Sequence, residues 1–272
     1  MPIGRLPLRS TPWCDLSTAQ ACIGHVLTCF RSSSAPALVE SVYRNFRYRF
    51  RVTGLSPRQQ WRVFRDVLKQ PVTAESVEAF AEQFGELSRR DGGIGAWLVK
   101  PRKNAGTYSE IAGPAGFHTD SQYHSHPERL FVLACDTPAS KGGDNLLIGL
   151  DDAHAVALES LGSEAVDRLK KSVWRWSVPQ VFQSETTPAV SPPSPIFRED
   201  GTIRWRIDNI VCENKADLSL AKAFEQALER SPRAEHVRLQ SGDVLLCDNW
   251  HALHARTDFS DMNRVLYRAR LV

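Results

Sequence analysis

Phe117-His118-Thr119-Asp120 is the stretch from which a fold and a site can be worked out, together with the downstream stretch Cys247-Asp248-Asn249-Trp250-His251-Ala252-Leu253-His254. His118 and Asp120 are two residues apart, so in extended backbone their side chains point to the same side. A histidine from the downstream stretch would complete a set of two imidazoles and one carboxylate. Such a facial triad leaves coordination positions open on a non-heme Fe(II) ion. The two stretches therefore predict a metal site that joins distant strands.

Several histidines compete for places in this site. His251 and His254 differ by three residues, so in a strand they face opposite ways and only one of them can join the set. His124 and His126 share a side and could form a zinc site with His118, but polar contacts at the mouth of the site are the favoured interpretation. The spacing alone leaves these alternatives open.

The composition is that of an ordinary globular enzyme-sized chain: 272 residues, 42% hydrophobic and 24% charged. The net charge is +3 with both signs interspersed, which argues against a nucleic-acid partner. One stretch, 44–51, alternates arginine with aromatic residues; RNA contact is conceivable there, but the pattern is more typical of a half-exposed strand. No apolar run approaches a membrane span or a signal peptide, and the six cysteines form no CxxC pair. We expect a cytoplasmic protein with free thiols.

The order of predicted elements favours a mainly β chain with helical decoration. Helices are predicted over 57–69 and from Thr73 to Gly85, over 151–171 with a break near Gly162, and over 218–230. Strands are predicted over 95–100, 129–135, 145–148, 173–176, 203–207, 237–239, 244–247, a further segment through His254, and 265–271. Two helices followed by many short strands predict a β-barrel or jelly roll in an α+β chain, built as one domain over 1–272 with 1–50 as a poorly assigned extension. The loops 101–116 and 186–200 lie where a mobile lid is expected.

The last predicted strand carries a row of cations. Arg264, Leu266, Arg268 and Arg270 alternate along it and therefore share one face. A dicarboxylate co-substrate needs a bidentate cationic partner at the end away from the metal, and a guanidinium group supplies that fork. Arg264, at the start of the strand, is the candidate.

These motifs, in this order, resemble the taurine dioxygenase-like (TauD/TfdA) Fe(II)/2-oxoglutarate-dependent oxygenases over roughly residues 52–272. The matching segments are the helix pair from Phe64 to Phe84, Phe117 to Asp120, the Gly142-Gly143-Asp144-Asn145 turn, Ser241 to His254, and Asn263 to Arg268. The resemblance implies a double-stranded β-helix (cupin-like jelly-roll) core. It also implies that His118, Asp120 and His254 bind iron, and it selects His254 over His251.

The same resemblance implies roles for the cosubstrate residues. Arg264 matches the residue that binds the distal carboxylate of 2-oxoglutarate. Asn145 stands where the family usually has a threonine touching the same molecule. Arg268 matches a second arginine that faces the substrate's acidic group or the co-substrate. Arg204, Arg206 and Trp250 are further candidates for substrate contact, with solvated or core positions as their alternatives.

The implied reaction uses Fe(II), 2-oxoglutarate and O2, and releases succinate and CO2. Halogenating relatives lack the carboxylate ligand, so Asp120 favours hydroxylation of an unactivated C–H bond, with desaturation or ring formation as alternatives. The cations favour a small anionic or zwitterionic substrate, such as an amino acid or a natural-product intermediate. Two rivals remain at this point: a non-oxygenase metal cupin using Zn(II), and a non-catalytic binding protein. Homo-oligomer formation is left open.

Overall fold

Two facing antiparallel sheets form the centre of the protein, whose structure is a computed structural model that describes residues 55, 59–90, 92–103, 105, 108–183 and 188–272. The elements, in chain order, are β1 (Trp61–Phe64), α1 (Ala74–Ala81), β2 (Ala96–Val99), β3 (Ala115–His118), β4 (Leu130–Thr137), β5 (Asn145–Gly149), α2 (Leu150–Leu161), α3 (Ser163–Leu169), β6 (Arg175–Trp176), β7 (Ile210–Val211), α4 (Lys215–Glu229), β8 (Glu235–Val237), β9 (Val244–Asp248), β10 (Ala252–Arg256) and β11 (Val265–Leu271). The described residues fall in one compact unit, Arg51–Val272.

The sheet topology is that of a jelly roll. One sheet has the strand order β1-β9-β4-β11-β2 and the other β3-β10-β5-β8, while β6 and β7 form a separate pair. The pairings within both large sheets are antiparallel. The predicted mainly β fold with helical decoration is confirmed.

Alternation along the strands divides the core into three layers. On β4, Phe131 and Leu133 face the space between the two sheets, where they meet Leu147 of the opposite sheet. Val132 and Ala134 point the other way and pack against α1. The outer face of the second sheet packs against α2, α3 and α4. Both sheets are thus covered on their outer faces, and the side chains that point into the space between them are largely buried.

The helix predicted over 57–69 is wrong where the structure describes it. Trp61 to Phe64 form the edge strand β1, which pairs with β9. Trp61 and Val63 pack against the inter-sheet core, while Phe64 packs against the α1 side. Pairing with β9 and this two-sided burial outweigh the local helix-start signal. The second predicted helix is confirmed as α1, with Thr73 as its N-cap accepting a hydrogen bond from the Ser76 backbone N–H.

The segment predicted as a mobile lid over 186–200 is, in its described part, packed against the body of the protein. The Ser191 N–H donates to the Trp176 carbonyl at 2.9 Å, and the Ile196 N–H donates to the Leu169 carbonyl at 2.9 Å. Ile196 is fully buried. The prolines of this segment have no N–H to donate, but the residues between them supply the donors and bind it to α3 and β6. The regular strand predicted over 203–207 is also absent there, since Ile203 and Arg206 form only isolated bridges.

Several sequence predictions fall wholly or partly outside the described residues. They are the extension over 1–50, the arginine-aromatic stretch 44–51, the start of the predicted helix at 57, and parts of the predicted loops 101–116 and 186–200. Among the residues the structure does describe, no helix is long and apolar enough to cross a membrane.

Candidate active site

The three predicted ligand residues meet in the space between the sheets. His118 ends β3 and is the direct cross-strand partner of His254 on β10, with ring centroids 4.1 Å apart. Their neighbours Phe117 and Leu253 point outward into the helix-covered core, which leaves both imidazoles facing inward. Asp120 follows β3 by two residues. Donor atoms of all three lie within 4.8 Å of one another, which is the one such group found among the described residues.

The competing histidines lie elsewhere. His251 is in the turn between β9 and β10, where its Nδ1 lies 3.0 Å from the Asp248 carboxylate, and its side chain is 32% exposed. His126 is exposed beside Ser125. Neither His126 nor His124 joins a metal-sized group with His118 in the described part of the chain. The structure thus brings together the set with His254.

The electrostatics of the site give each group the ionisation that metal binding requires. Burial lowers the pKa of His118 and that of His254, and the nearby Arg206 guanidinium lowers both further. Burial would raise the pKa of Asp120, but the Arg268 guanidinium, His254 and the Arg270 guanidinium together outweigh burial and hold that pKa well below its usual range. Neutral imidazoles and an ionised carboxylate are the forms in which these groups bind metals.

The residues present fit a bound divalent metal. Both ring nitrogens of His254 are buried without a hydrogen-bond partner, an arrangement that is costly for an imidazole unless a ligand satisfies it. His118 has its Nδ1 2.8 Å from the Gly116 carbonyl, which fixes Nδ1 as the protonated nitrogen and leaves Nε2 as a donor. Nε2 of His118 lies 3.8 Å, and Nε2 of His254 3.6 Å, from Oδ1 of Asp120. Two imidazoles and one carboxylate form the donor set typical of non-heme Fe(II).

Arg268 reaches this site through the acidic ligand. Its Nη1 donates to both carboxylate oxygens of Asp120, at 2.9 and 2.8 Å, and its guanidinium lies over the Phe131 ring. Arg270, on the same face of β11, has its Nε 3.8 Å from Asp120 Oδ2. The Nε of Arg268 is buried and makes no hydrogen bond. The predicted shared face of these arginines is confirmed, and it brings them to the carboxylate of the proposed metal site.

Arg264 is a buried cation without a carboxylate partner among the described residues. It is 4% exposed, donates from Nη2 to the Gly143 carbonyl at 3.1 Å and lies over the Phe259 ring. Burial, with the neighbouring Arg256, lowers its pKa to about 10, so the group remains charged at neutral pH. A buried guanidinium with no carboxylate partner in the described part of the chain is a candidate binding group for an anion.

The Gly142-Gly143 turn is what allows Arg264 into this position. Both glycines have positive φ, +67° and +70°. A Cβ on Gly142 would lie 1.9 Å from the Asp258 carbonyl oxygen, and a Cβ on Gly143 would lie 3.0 Å from the Arg264 Nε. Glycine is therefore required twice, once for the close approach of two backbones and once for the arginine.

Asn145 begins β5 directly after this turn. It is buried, and its Nδ2 donates to the Val237 carbonyl at 3.4 Å. It alternates with Leu147, which packs in the inter-sheet core, so the Asn145 side chain faces the same enclosed space.

The other predicted substrate residues divide into two groups. Arg206 bridges opposite His118 and forms an ion pair with Asp208 at 2.6 Å, and its charge is felt by both imidazoles. The Arg204 guanidinium, in contrast, donates to the His124 and Ser125 carbonyls at 2.8 and 2.6 Å. These bonds hold the loop after Asp120. A substrate role for Arg204 stays a prediction.

Trp250 lies in the β9–β10 turn, beside the loop that follows Asp120. Its indole N–H donates to the Pro127 carbonyl at 3.0 Å, and Arg129 lies over its ring. The tryptophan is therefore held in place by contacts of its own, and its predicted contact with substrate also stays a prediction.

One residue behind the site was not predicted from the sequence. Glu225 of α4 is buried, accepts the Phe117 N–H at 2.9 Å and accepts the Trp205 indole N–H at 2.6 Å. Burial raises its pKa to about 7. A glutamate four residues after Ala221 on an apolar helix face was the available signal, since the buried stripe of a helix rarely carries an unpaired carboxylate.

The fold and the site together define a jelly-roll protein in which two imidazoles and a carboxylate could hold a metal ion, with the buried Arg264 on the segment that leads into β11. Residues 58–270 match the model of the family described as "Taurine catabolism dioxygenase TauD, TfdA family". The chain belongs to this family and is thus a 2-oxoglutarate-dependent oxygenase, as the resemblance predicted. Family membership favours this activity over the zinc cupin and binding-protein alternatives.

Solved structures share the fold at low identity. An asparagine oxygenase in complex with Fe(II), 2S,3S-3-hydroxyasparagine and succinate matches with a TM-score of 0.64 and 18% identity, over 87% of this chain and 80% of that one. The non-heme iron oxygenase OrfP with Fe, succinate and (3S)-hydroxy-L-Arg matches with a TM-score of 0.60 and 16% identity, over 87% and 81%. OrfP with Fe and alpha-ketoglutaric acid gives 0.59 and 18%, over 87% and 80%. A comparison with curated proteins gave no match.

Proposed function

We propose that this oxygenase hydroxylates an unactivated C–H bond of a small anionic or zwitterionic molecule, and that an amino acid or a related natural-product intermediate is the substrate. The observation that carries the proposal is the convergence of His118, Asp120 and His254, together with the buried Arg264, which has no carboxylate partner among the described residues. When bound, Fe(II) would supply the oxidation chemistry with O2 and 2-oxoglutarate: the co-substrate would be converted to succinate and CO2, with one oxygen atom of O2 entering succinate and the other the substrate.

Each side chain of the site then has a role in holding or orienting. His118, Asp120 and His254 hold the metal through neutral imidazoles and an ionised carboxylate. Arg264 binds the distal carboxylate of 2-oxoglutarate, and Asn145 contacts the same molecule from β5. The enclosed space between the sheets excludes water from the reacting groups.

The arginines near the triad support an acidic substrate group. Arg268 keeps the Asp120 carboxylate ionised, and its buried Nε, which makes no hydrogen bond, is a donor for an incoming anion. Arg206 adds a second positive charge close to both imidazoles. A carboxylate entering this region would meet these two guanidinium groups, although Arg206 is already paired with Asp208 and Arg268 with Asp120. The similar structures carry hydroxylated asparagine and arginine, which supports an amino acid as the substrate class.

Hydroxylation is supported by the ligand set itself. Asp120 occupies the place that halogenating relatives leave free of a carboxylate.

We also propose a cytoplasmic location, which is supported by the free thiols of Cys135, Cys212 and Cys247 among the described residues.

The test is a substrate screen with the purified chain, Fe(II) and 2-oxoglutarate. Free amino acids are compared with their N-acetyl and amide derivatives and with sulfonates, and succinate release is measured with and without each compound. We expect an amino acid to stimulate succinate release and to gain one oxygen atom by mass spectrometry. Stimulation by neutral compounds alone, or a product two hydrogens lighter, would contradict the substrate class or the hydroxylation respectively.

A further inference from the structure

We infer that Asn249 is a positioning residue that sets the direction of the Asp120 side chain before any metal binds. The inference rests on the proposed function, because it concerns how one residue of the proposed metal site is held. Asn249 touches neither the imidazoles nor the carboxylate, so its effect passes through the backbone of Asp120.

The Asn249 side-chain amide hydrogen-bonds to the backbone on both sides of the Asp120 Cα. Its Oδ1 accepts the Asp120 N–H at 2.6 Å, and its Nδ2 donates to the Asp120 carbonyl at 3.1 Å. These two backbone groups belong to the two peptide planes on either side of the Asp120 Cα. Fixing both planes fixes φ and ψ of that residue, and with them the direction of its Cα–Cβ bond. Arg268 then fixes the carboxylate at the other end of the side chain.

The backbone at this point needs such support. Ser121, the next residue, has φ of +56°, in the left-handed region that a residue with a Cβ seldom adopts. It is buried, so the conformation is not relaxed by solvent. The chain turns sharply out of the extended course of β3 at the residue that supplies the carboxylate. A conformation of this kind persists where surrounding contacts over-determine it.

Asn249 is itself firmly anchored. It is 2% exposed, its backbone N–H donates to the Arg129 carbonyl at 2.7 Å, and its second Nδ2 hydrogen is donated to the Glu128 carbonyl at 2.9 Å. Both hydrogens of the amide and its oxygen are used. Neither aspartate nor alanine reproduces this set, because the first has no donors and the second has no polar group.

The location of Asn249 gives the contact a wider consequence. It follows the last residue of β9 and precedes β10, the strand that carries His254. One side chain therefore ties the turn that leads to His254 to the backbone of Asp120. The separation of these two proposed ligands is held by a fully satisfied buried amide.

The first experiment measures metal affinity, with Asn249→Ala and Asn249→Asp against Asn214→Ala as the matched control. Asn214 also uses its side-chain amide on nearby groups, as the N-cap of α4, and touches neither Asp120 nor the β9–β10 turn. Fe(II) is titrated anaerobically into each metal-free protein in competition with a chelator, and thermal unfolding of the metal-free proteins is recorded alongside. We expect the Fe(II) Kd to rise roughly 10- to 100-fold in both Asn249 variants, the range found for residues that orient metal ligands. The Asn214 variant should lose stability and keep its Kd.

A second measurement needs no substitution at Asn249. In the metal-free wild-type protein, the Asp120 amide should exchange with deuterium as slowly as the amides of β4, and adding Fe(II) should change it little. Fast exchange that slows only with Fe(II) would overturn the inference, as would an unchanged Fe(II) Kd in folded Asn249 variants. Asp120→Ala separates this outcome from failure of the proposed function. If Asp120→Ala still binds Fe(II) as the wild type does, the metal site is misplaced; if it does not, only the role of Asn249 is in question.

Discussion

His118 and His254 are direct cross-strand partners on β3 and β10, and their imidazole rings lie 4.1 Å apart on the inner face of the sheet. The pairing register alone brings two residues 136 positions apart in the sequence to one point (254 − 118 = 136). A shift of one residue in this register would turn one imidazole to the helix-covered face. The metal site is thus a property of strand pairing.

Replacing His254 and replacing His251 should have opposite results. His254→Ala removes an inward-facing imidazole of the triad, whereas His251→Ala removes a half-exposed ring that contacts Asp248. With Fe(II) and 2-oxoglutarate under anaerobic conditions, we expect the visible charge-transfer absorption of the bound pair in the wild type and in His251→Ala, and its loss in His254→Ala. The reverse pattern would show that the wrong histidine has been assigned.

Arg264→Lys should weaken 2-oxoglutarate binding while leaving metal binding unchanged. Lysine keeps the charge but lacks the forked donors, and it loses the contact with Gly143. A hydrogen bond to a charged group contributes about 1.5–3 kcal/mol, so we expect KM for 2-oxoglutarate to rise about tenfold or more. Succinate formation is measured against 2-oxoglutarate concentration. Arg233→Lys, at an exposed ion pair with Asp152, is the control, and an unchanged KM in Arg264→Lys would refute the assigned role.

Gly143→Ala should also raise KM for 2-oxoglutarate, because the added methyl group displaces Arg264. The added Cβ would lie 3.0 Å from the Arg264 Nε, so the arginine has to move. Gly201→Ala is a close control, because Gly201 has φ of +76° and nothing within 4 Å of the added Cβ. Each variant should lose about 1–2 kcal/mol of stability from the left-handed conformation. Only Gly143→Ala should raise KM for 2-oxoglutarate, and equal KM values in the two variants would show that Arg264 does not hold the co-substrate.

Glu225 should make the stability of the fold depend on pH. Burial, with Glu229 and Asp208 nearby, raises its folded-state pKa to about 7 from an unfolded value near 4.5. The folded state therefore binds this proton more tightly than the unfolded state, and the stabilisation is fully present below about pH 4.5 and lost as the pH rises through about 7. Between pH 5 and 8 the wild type should lose roughly 2–3 kcal/mol through this group.

Glu225→Gln should lack this pH-dependent component. The glutamine has one acceptor oxygen for two donors, from Phe117 and Trp205, so the variant is also less stable at acidic pH. Denaturant unfolding at a series of pH values gives the comparison, with Glu199→Gln, an exposed position, as the control. Parallel stability curves for Glu225→Gln and the wild type would contradict the assignment.

The sequence predicts the residues of the site better than it predicts the contacts that hold those residues in place. Arg268 and Arg270 alternate with the period of a strand and share a face of β11, as predicted. His118 and Asp120 also come together as predicted, although Asp120 lies two residues beyond β3, where the chain has already turned. The contact between Arg268 and Asp120 depends on two distant strands facing each other, which spacing does not encode. Asn249 lies within the stretch Cys247 to His254, but nothing in the sequence indicates that its side chain bonds to the backbone of Asp120.

The errors in the fold have a similar origin. The Ser-Pro sequence before Trp61 is a local helix-start signal, but Trp61 to Phe64 gain more by pairing with β9 and burying their side chains. The proline-rich segment up to Asp200 looks mobile by composition, yet its serine and isoleucine backbone groups bond to β6 and α3. In both segments, contacts with residues distant in the sequence determine the structure, and local composition alone gives a wrong prediction.

The site takes its parts from both sheets. The imidazoles come from the four-stranded sheet, whereas Arg268 lies on β11 of the five-stranded sheet. Arg264 lies immediately before β11. The relative position of the two sheets therefore sets the distance between the imidazoles and the arginines, and a displacement of about 1 Å would be enough to cost roughly a hundredfold in rate. Under mild denaturant or pressure, we therefore expect the turnover rate to fall before the strands lose their pairing. Activity would then report small displacements between the two sheets.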